Sequence, residues 1–197
     1  GTQINISSWG HEYVRYLSGE ISEEYNRRLL NVNELAEESD GDVDDLLVLV
    51  DDIIPFQMSH NSEAEAADLL IEVQQLKKLI EMPVVDAQIY ERLCLYLLRS
   101  ADFMSDPDDL FNILQTCFTI FKTQRKYSDA MRVALKMDDN DKITEVFDAV
   151  NEAVSQGLIP ADGQLESGSV WRKQLSFLLA RHRSNYEMPE ANDSDDL

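Results

Sequence analysis

The stretch from Ile53 to Val73 constrains this chain most: Ile-Ile-Pro-Phe-Gln-Met-Ser-His-Asn-Ser-Glu-Ala-Glu-Ala-Ala-Asp-Leu-Leu-Ile-Glu-Val. One apolar helical run stops near His60-Asn61, and a second helix opens at once. Ser62 is placed to cap it. Glu63 and Glu65 fall in its first turn, where carboxylates favour the positive end of the helix dipole. Ala66, Leu69, Leu70 and Val73 then share one face at helical spacing. Ala66 and Ala67 are small enough to let a neighbouring helix approach closely. This is an αα-hairpin, and the rest of the chain repeats it. By itself the pattern describes a helical scaffold and names no chemistry.

The neighbouring segments follow the same grammar. A first helix is predicted from a cap at Ser8. Trp9, Tyr13, Tyr16, Leu17 and Ile21 make an aromatic-rich stripe along it, core or docking face, and Arg27 and Arg28 suit its negative end. Leu46 to Met58 is apolar nearly all round and reads as a buried central helix, which Pro55 kinks or ends. The helix from Ser62 is expected to reach about Ile80, before Met82-Pro83 breaks it. Asp86 caps a helix carrying Ile89, Tyr90, Leu93, Cys94, Leu97 and Leu98. Ser105-Asp106-Pro107 is a capping signal with Pro at the first turn, opening a helix with Leu110, Ile113, Leu114, Cys117, Phe118 and Phe121 inward. Lys126 to Asp129 turns into a helix of Ala130, Val133, Ala134 and Met137. Asp138 to Asp141 separates that from one of Ile143, Val146, Phe147 and Val150. The last carries Val170, Trp171, Leu175, Leu178, Leu179 and His182.

Glu65-Ala66 is echoed at Asp129-Ala130. The two alanines are 64 positions apart (66 to 130), near twice the roughly 34-residue period of a tetratricopeptide-like hairpin, although that repeat's Trp, Leu-Gly and Tyr signature is missing. The expected class is all-α, with stacked antiparallel helical hairpins in an α-solenoid-like or irregular helical-repeat domain. The organisation reads as an N-terminal amphipathic helix (1–32), an acidic flexible linker (33–45), a helical-hairpin domain (46–186) with a loop at 156–169, and an acidic disordered tail (187–197).

Seventeen basic against 38 acidic residues leave a formal charge of −21. That field argues against nucleic acid and anionic membranes as partners. It serves solubility, or steers the chain toward a basic protein surface. No run approaches the roughly 18 apolar residues that span a bilayer. Gly1 to Ser8 lacks the pattern of a signal peptide, and an opening Gly rather than Met suggests trimming or engineering. Cys94 and Cys117 fall within apolar helical pattern and read as buried thiols of a reducing compartment.

The catalytic inventory is thin. His11-Glu12-Tyr13-Val14-Arg15 begins like the zinc-protease helix, but Arg15 stands where the second imidazole is needed. His11, His60 and His182 are far apart in sequence. From Asp40 onward the calcium-loop offsets fail, because Leu46 and Val48 stand where oxygen ligands belong. No glycine-rich phosphate loop or nucleophile elbow exists, and Cys94 and Cys117 lack nearby bases. No catalytic, cofactor-binding or metal-binding residue is nominated and no cofactor is expected. The candidate protein contacts are Trp9, Tyr13 and Tyr16 on the first helix, and the basic cluster of Lys122, Arg125 and Lys126.

Several stretches resemble a known family. Ser8-Trp9-Gly10-His11-Glu12-Tyr13-Val14-Arg15-Tyr16-Leu17 is the most specific. Ile54-Pro55-Phe56, His60-Asn61 with Ala67-Asp68-Leu69-Leu70-Ile71-Glu72, and Arg92 to Leu97 follow. Asp129 to Leu135 and Arg172 to His182 complete the series. In this order they resemble the 26S proteasome non-ATPase regulatory subunit 2 family, the large base subunit of the regulatory particle. The loops depart from that pattern: Asn33 to Asp45 falls where the family has a variable insert, Gln156 to Ser169 looks longer, and Arg183 stands where Gly is commoner. The resemblance implies a non-catalytic scaffold, found in cytoplasm and nucleus, that contacts ATPase-ring and other base subunits. The family's docking sites for ubiquitin, ubiquitin-like receptors and a deubiquitinase belong to a toroid of glycine- and alanine-rich repeats. Those repeats are absent from this sequence, so no ubiquitin-site residue carries over. An independent helical-repeat adaptor that binds peptides is the alternative reading, and an enzyme whose site assembles in space is the third.

Overall fold

The structure, a computed structural model, describes residues 9–34, 43–82, 85, 88–161 and 165–187. Among these residues the regular structure is helical throughout. The elements are α1 (His11–Glu34), α2 (Asp44–Ser59), α3 (Glu63–Glu72), α4 (Lys78–Glu81), α5 (Tyr90–Ala101), α6 (Pro107–Thr123), α7 (Tyr127–Met137), α8 (Asn140–Ser155) and α9 (Gly168–His182). The all-α class holds. The chain divides into two compact units, Gly1–Ile120 and Phe121–Leu197. The caps expected at Ser8 and Asp86, most of the acidic linker and the tail from 188 onward lie outside the described residues.

Each unit is organised around one helix lined with small residues. In the first, α3 packs against α1, α2 and α5, with Ala66, Ala67 and Leu70 fully buried. In the second, α7 packs against α8 and α9, with Ala130, Met131 and Ala134 fully buried. The Ala66/Ala130 echo thus falls on the two central helices, where short side chains let axes come close.

Two helices differ from expectation. Helix α2 is not buried all round. Leu46, Val50, Ile53, Ile54, Phe56 and Met58 face inward, while Val48 is 63% exposed and Asp51, Asp52 and Pro55 are exposed too. Pro55 does not end it. On the outer side the missing N–H leaves only the carbonyl of exposed Asp51 to solvent, so the helix runs on to Ser59. Helix α3 stops at Glu72 rather than near Ile80, because Gln74 adopts a left-handed φ of 55°. Gln75 N–H then donates to Leu70 O (2.8 Å) and Gln74 N–H to Ile71 O (3.0 Å), a Schellman closure. The turn sends buried Leu76 and Leu79 back into the core.

The same closure ends five more helices. Its left-handed residues are Asn61, Arg125, Asp138, Gly157 and Arg183. The matching bonds run from Ser62 N to Gln57 O, Lys126 N to Phe121 O, Asp139 N to Ala134 O, Leu158 N to Ala153 O and Ser184 N to Leu179 O. Gly157 is the residue this conformation favours most, and Asn61 comes next. Ser62, Lys126 and Asp139 also occupy the N-cap position of the following helix, so each hairpin turns within two or three residues. Asp139 caps α8 by accepting from Asp141 N and Lys142 N, and Asp106 caps α6 by accepting from Asp108 N at 2.8 Å. Ser62 holds its expected position, but its side chain makes no cap hydrogen bond.

Arg27 and Arg28 do not sit at the negative end of α1, whose last turn has no basic residue. They pair instead: Arg27 with Glu24 at 2.7 Å, and Arg28 with Glu24 at 2.8 Å and with Asp45 at 2.5 Å. The last of these ties α1 to the start of α2. Helix α9 opens at Gly168, where a Cβ would lie 2.5 Å from Val154 Cγ2. Only glycine lets α9 close on α8 there.

Candidate functional site

In the first unit, α1 buries Val14, Ser18, Ile21 and Tyr25, a line at four- and three-residue spacing. Ser18 Oγ donates to Val14 O (2.9 Å) and accepts from Gln57 Nε2 (3.2 Å), which joins α1 to α2 through buried polar groups. The aromatic stripe lies off this line. Trp9 and Tyr13 are close to half exposed, Tyr16 is 75% exposed, and Leu17 is half-buried. Trp9 and Tyr13 pack edge to face with centroids 4.5 Å apart. These rings form a surface, with Ile21 the member that enters the core.

Beside that surface the fold assembles a group that sequence distance hides. The His11 ring lies 4.7 Å from that of His60 and 5.3 Å from that of Phe56. His60 Nδ1 is 2.8 Å from Phe56 O. Among the described residues no group of three or more His, Cys, Asp or Glu is arranged to hold a metal. Arg15, in the place of a second zinc ligand, lies 3.6 Å from Glu65 on α3. Both cysteines are free thiols buried in the first unit.

In the second unit, the predicted basic cluster is a groove of both signs, about 480 Å³ in volume. Lys122 is committed to Glu145 at 2.7 Å, and Lys142 reaches the same carboxylate at 2.7 Å. Burial would push Glu145 up, but the hydrogen bonds from Lys122 and Lys142 hold it below the usual carboxylate range. Arg125 is exposed at its left-handed position and lines the groove with Asp148 and Glu152; Lys126 is exposed at the N-cap of α7. The floor is buried Tyr127, whose hydroxyl burial pushes up and whose ring meets Trp171 edge to face at 5.3 Å.

Sequence reasoning missed a second groove, of about 500 Å³, where the α3–α4 turn meets the start of α6. Leu70, Ile71, Leu76 and Ile113 line it, Phe111 is 52% exposed, and Asp106, Asp108 and Asp109 rim it. Burial raises the Asp109 pKa, and Asp106, Asp108 and Glu72 raise it further. The left-handed turn at Gln74 creates this groove, and no local residue preference announces such a turn.

A helical-hairpin protein whose distinctive features are grooves and solvent-facing aromatics is the class these observations define. The chain belongs to the RPN1 N-terminal domain family, whose model matches residues 1–197. It is 42% identical over 183 residues to the 26S proteasome non-ATPase regulatory subunit 2 of Dictyostelium discoideum, covering 93% of this chain and 18% of that protein. It is 33% identical over 196 residues to the 26S proteasome non-ATPase regulatory subunit 2 homolog A of Arabidopsis thaliana, covering 100% and 19%. It is 32% identical over 198 residues to the 26S proteasome regulatory subunit RPN1 of Candida glabrata, covering 94% and 18%. The chain therefore spans less than a fifth of the length of these relatives.

Proposed function

We propose that this chain is a non-catalytic scaffold segment of the base of the proteasome regulatory particle. In this reading it supports assembly with the ATPase ring and other base subunits and helps place the receptor-docking toroid used in ubiquitin-dependent degradation. It works in cytoplasm and nucleus. The observation that carries the reading is the family match along the whole chain to relatives named as proteasome regulatory subunits. Helix-on-helix units with tight corners suit a rigid spacer, since the α2–α3, α6–α7 and α7–α8 hairpins turn within two or three residues and leave little backbone to flex there. Trp9, Tyr13 and Tyr16 are the contact surface assigned in the first unit. Lys122, Arg125 and Lys126 border the one assigned in the second.

Affinity purification of the full-length protein that contains this chain tests the proposal. ATPase-ring subunits are expected to co-purify, and Tyr13→Ala with Tyr16→Ala to weaken their recovery. Failure of the intact protein to associate with any base subunit overturns it.

A second reading, an independent peptide-binding adaptor, is favoured by the acidic-rimmed groove of the first unit, whose exposed Phe111 and three aspartates suit a basic amphipathic segment. Basic peptides titrated against the isolated chain separate the two. The adaptor binds them alone and loses them on Phe111→Ala, whereas the scaffold needs its neighbouring subunits.

A further inference from the structure

Helix α9 breaks the charge pattern of the chain. Acidic side chains outnumber basic ones by 38 to 17, and on other helices many cations have found carboxylates. Lys78 pairs with Asp51, Arg92 with buried Glu63, Lys122 and Lys142 with Glu145, and Arg132 with Asp129. From Ser167 to Tyr186 there is no acidic residue, yet Arg172, Lys173, Arg181, His182 and Arg183 all lie there. Arg172 hydrogen-bonds Asn151. Among the described residues no ion pair reaches Lys173, Arg181 or Arg183.

The geometry gives these cations a shared surface. Lys173, Phe177 and Arg181 follow one another at four-residue spacing and form a single ridge along the helix. All three are exposed, Phe177 by 67%, while Leu175 and Leu179 are buried in the unit. Arg181 and His182 have a plain structural use, since cations in the last turn complement the helix dipole. Lys173 lies outside that turn and gains nothing from it. Phe177 leaves most of its ring outside the packing of the unit. An aromatic ring between two uncommitted cations, on a chain with carboxylates to spare, is complementary to a partner both apolar and anionic.

We propose that the Lys173–Phe177–Arg181 ridge of α9 is a docking face for an acidic amphipathic helix of a protein partner. Eight residues of helix span about 12 Å. The partner presents two carboxylates at about that separation, bracketing an apolar side chain that covers Phe177. A short acidic helix fits better than nucleic acid or an anionic membrane. The Debye length is about 8 Å at physiological salt, so a short ligand feels mainly the ridge, whereas an extended polyanion also meets the surrounding carboxylates. This inference rests on the second unit alone and stands apart from the proteasome reading.

Fluorescence anisotropy of the whole chain tests it. The probe is a labelled helical peptide with two Glu eight positions apart around a central Leu. Binding is expected to weaken as salt rises. It should fall about tenfold with Lys173→Glu plus Arg181→Glu and several-fold with Phe177→Ala. Lys77→Glu, exposed in the other unit, leaves it unchanged, and thermal melts confirm that each variant folds. The proposal is overturned by no binding, by equal binding of a Lys-for-Glu peptide, or by loss no greater in the ridge variants than in Lys77→Glu. Tighter binding through these residues by a single-stranded oligonucleotide or by phosphatidylserine vesicles also overturns it. Binding that emerges only after residues 188–197 are removed assigns the ridge to that segment instead, and ends the proposal.

Discussion

Helices α1 and α9 both hold aromatic rings in solvent, yet they handle charge in opposite ways. On α1, Arg15 faces Glu65 of α3, Arg27 holds Glu24, and Arg28 holds both Glu24 and Asp45. Two of these three arginines join one helix to another. On α9, among the described residues, Arg172 is the cation that reaches across, to Asn151 of α8. The α1 cations are spent on carboxylates of their own unit, while among the described residues no ion pair reaches Lys173 or Arg181 of α9. Where carboxylates are plentiful, an unpaired cation is the more informative one.

The largest test separates packing from surface within α9 itself. Leu175→Ala, at a fully buried position, should cost about 3 kcal/mol in urea unfolding. Phe177→Ala should cost less than about 0.5 kcal/mol. Similar losses at both positions would make the ridge part of the core and break the contrast with α1. Next in size is the seam between α8 and α9. Gly168→Ala should destabilise by about 1–3 kcal/mol, because the added methyl group meets Val154.

A smaller effect of opposite sign is expected at the end of α9. Arg183 is a cation held at a left-handed φ of 53°. Replacing it with Gly should raise stability by about 1 kcal/mol, and Arg125→Gly should do the same. A loss on Arg183→Gly would show that this charge serves the fold after all. The finest test is electrostatic and concerns α1. Hydrogen bonds from Arg27 and then Arg28 hold the Glu24 carboxyl at about 2, against an ordinary 4.5. Because the folded value is the lower one, these pairs stabilise the protein above the ordinary carboxylate pKa. That contribution is lost as pH falls from about 4.5 toward 2. NMR titration should give a Glu24 midpoint near 2 that moves back up in Arg28→Ala; an unmoved midpoint would show that Arg28 does not act on Glu24.

Much of the helical order was legible because apolar spacing is a local signal. The cap at Asp106, the turns at His60-Asn61 and Lys126, the break at Asp138 to Asp141 and the buried thiols all follow from neighbours in sequence. The early end of α3 was not legible, because Gln74 and Gln75 favour helix by propensity while the core draws Leu76 and Leu79 inward. The outward face of α2 was hidden by Leu47 and Val48, which blur its periodicity. The aromatic stripe of α1 read equally as core or surface, and packing decided that Val14, Ser18 and Tyr25 go inside. Lys122 looked part of a basic patch until the fold brought Glu145 to it.

By itself, the sequence determined that this chain is helical, roughly where its helices begin and turn, and that it is strongly acidic. Those properties depend on residues within a few positions of one another, or on simple counting. Tertiary structure alone decided which charges are neutralised, which aromatics face solvent, and that His11 meets His60. Each of these depends on side chains from distant segments arriving at one place, and backbone periodicity carries no record of that meeting.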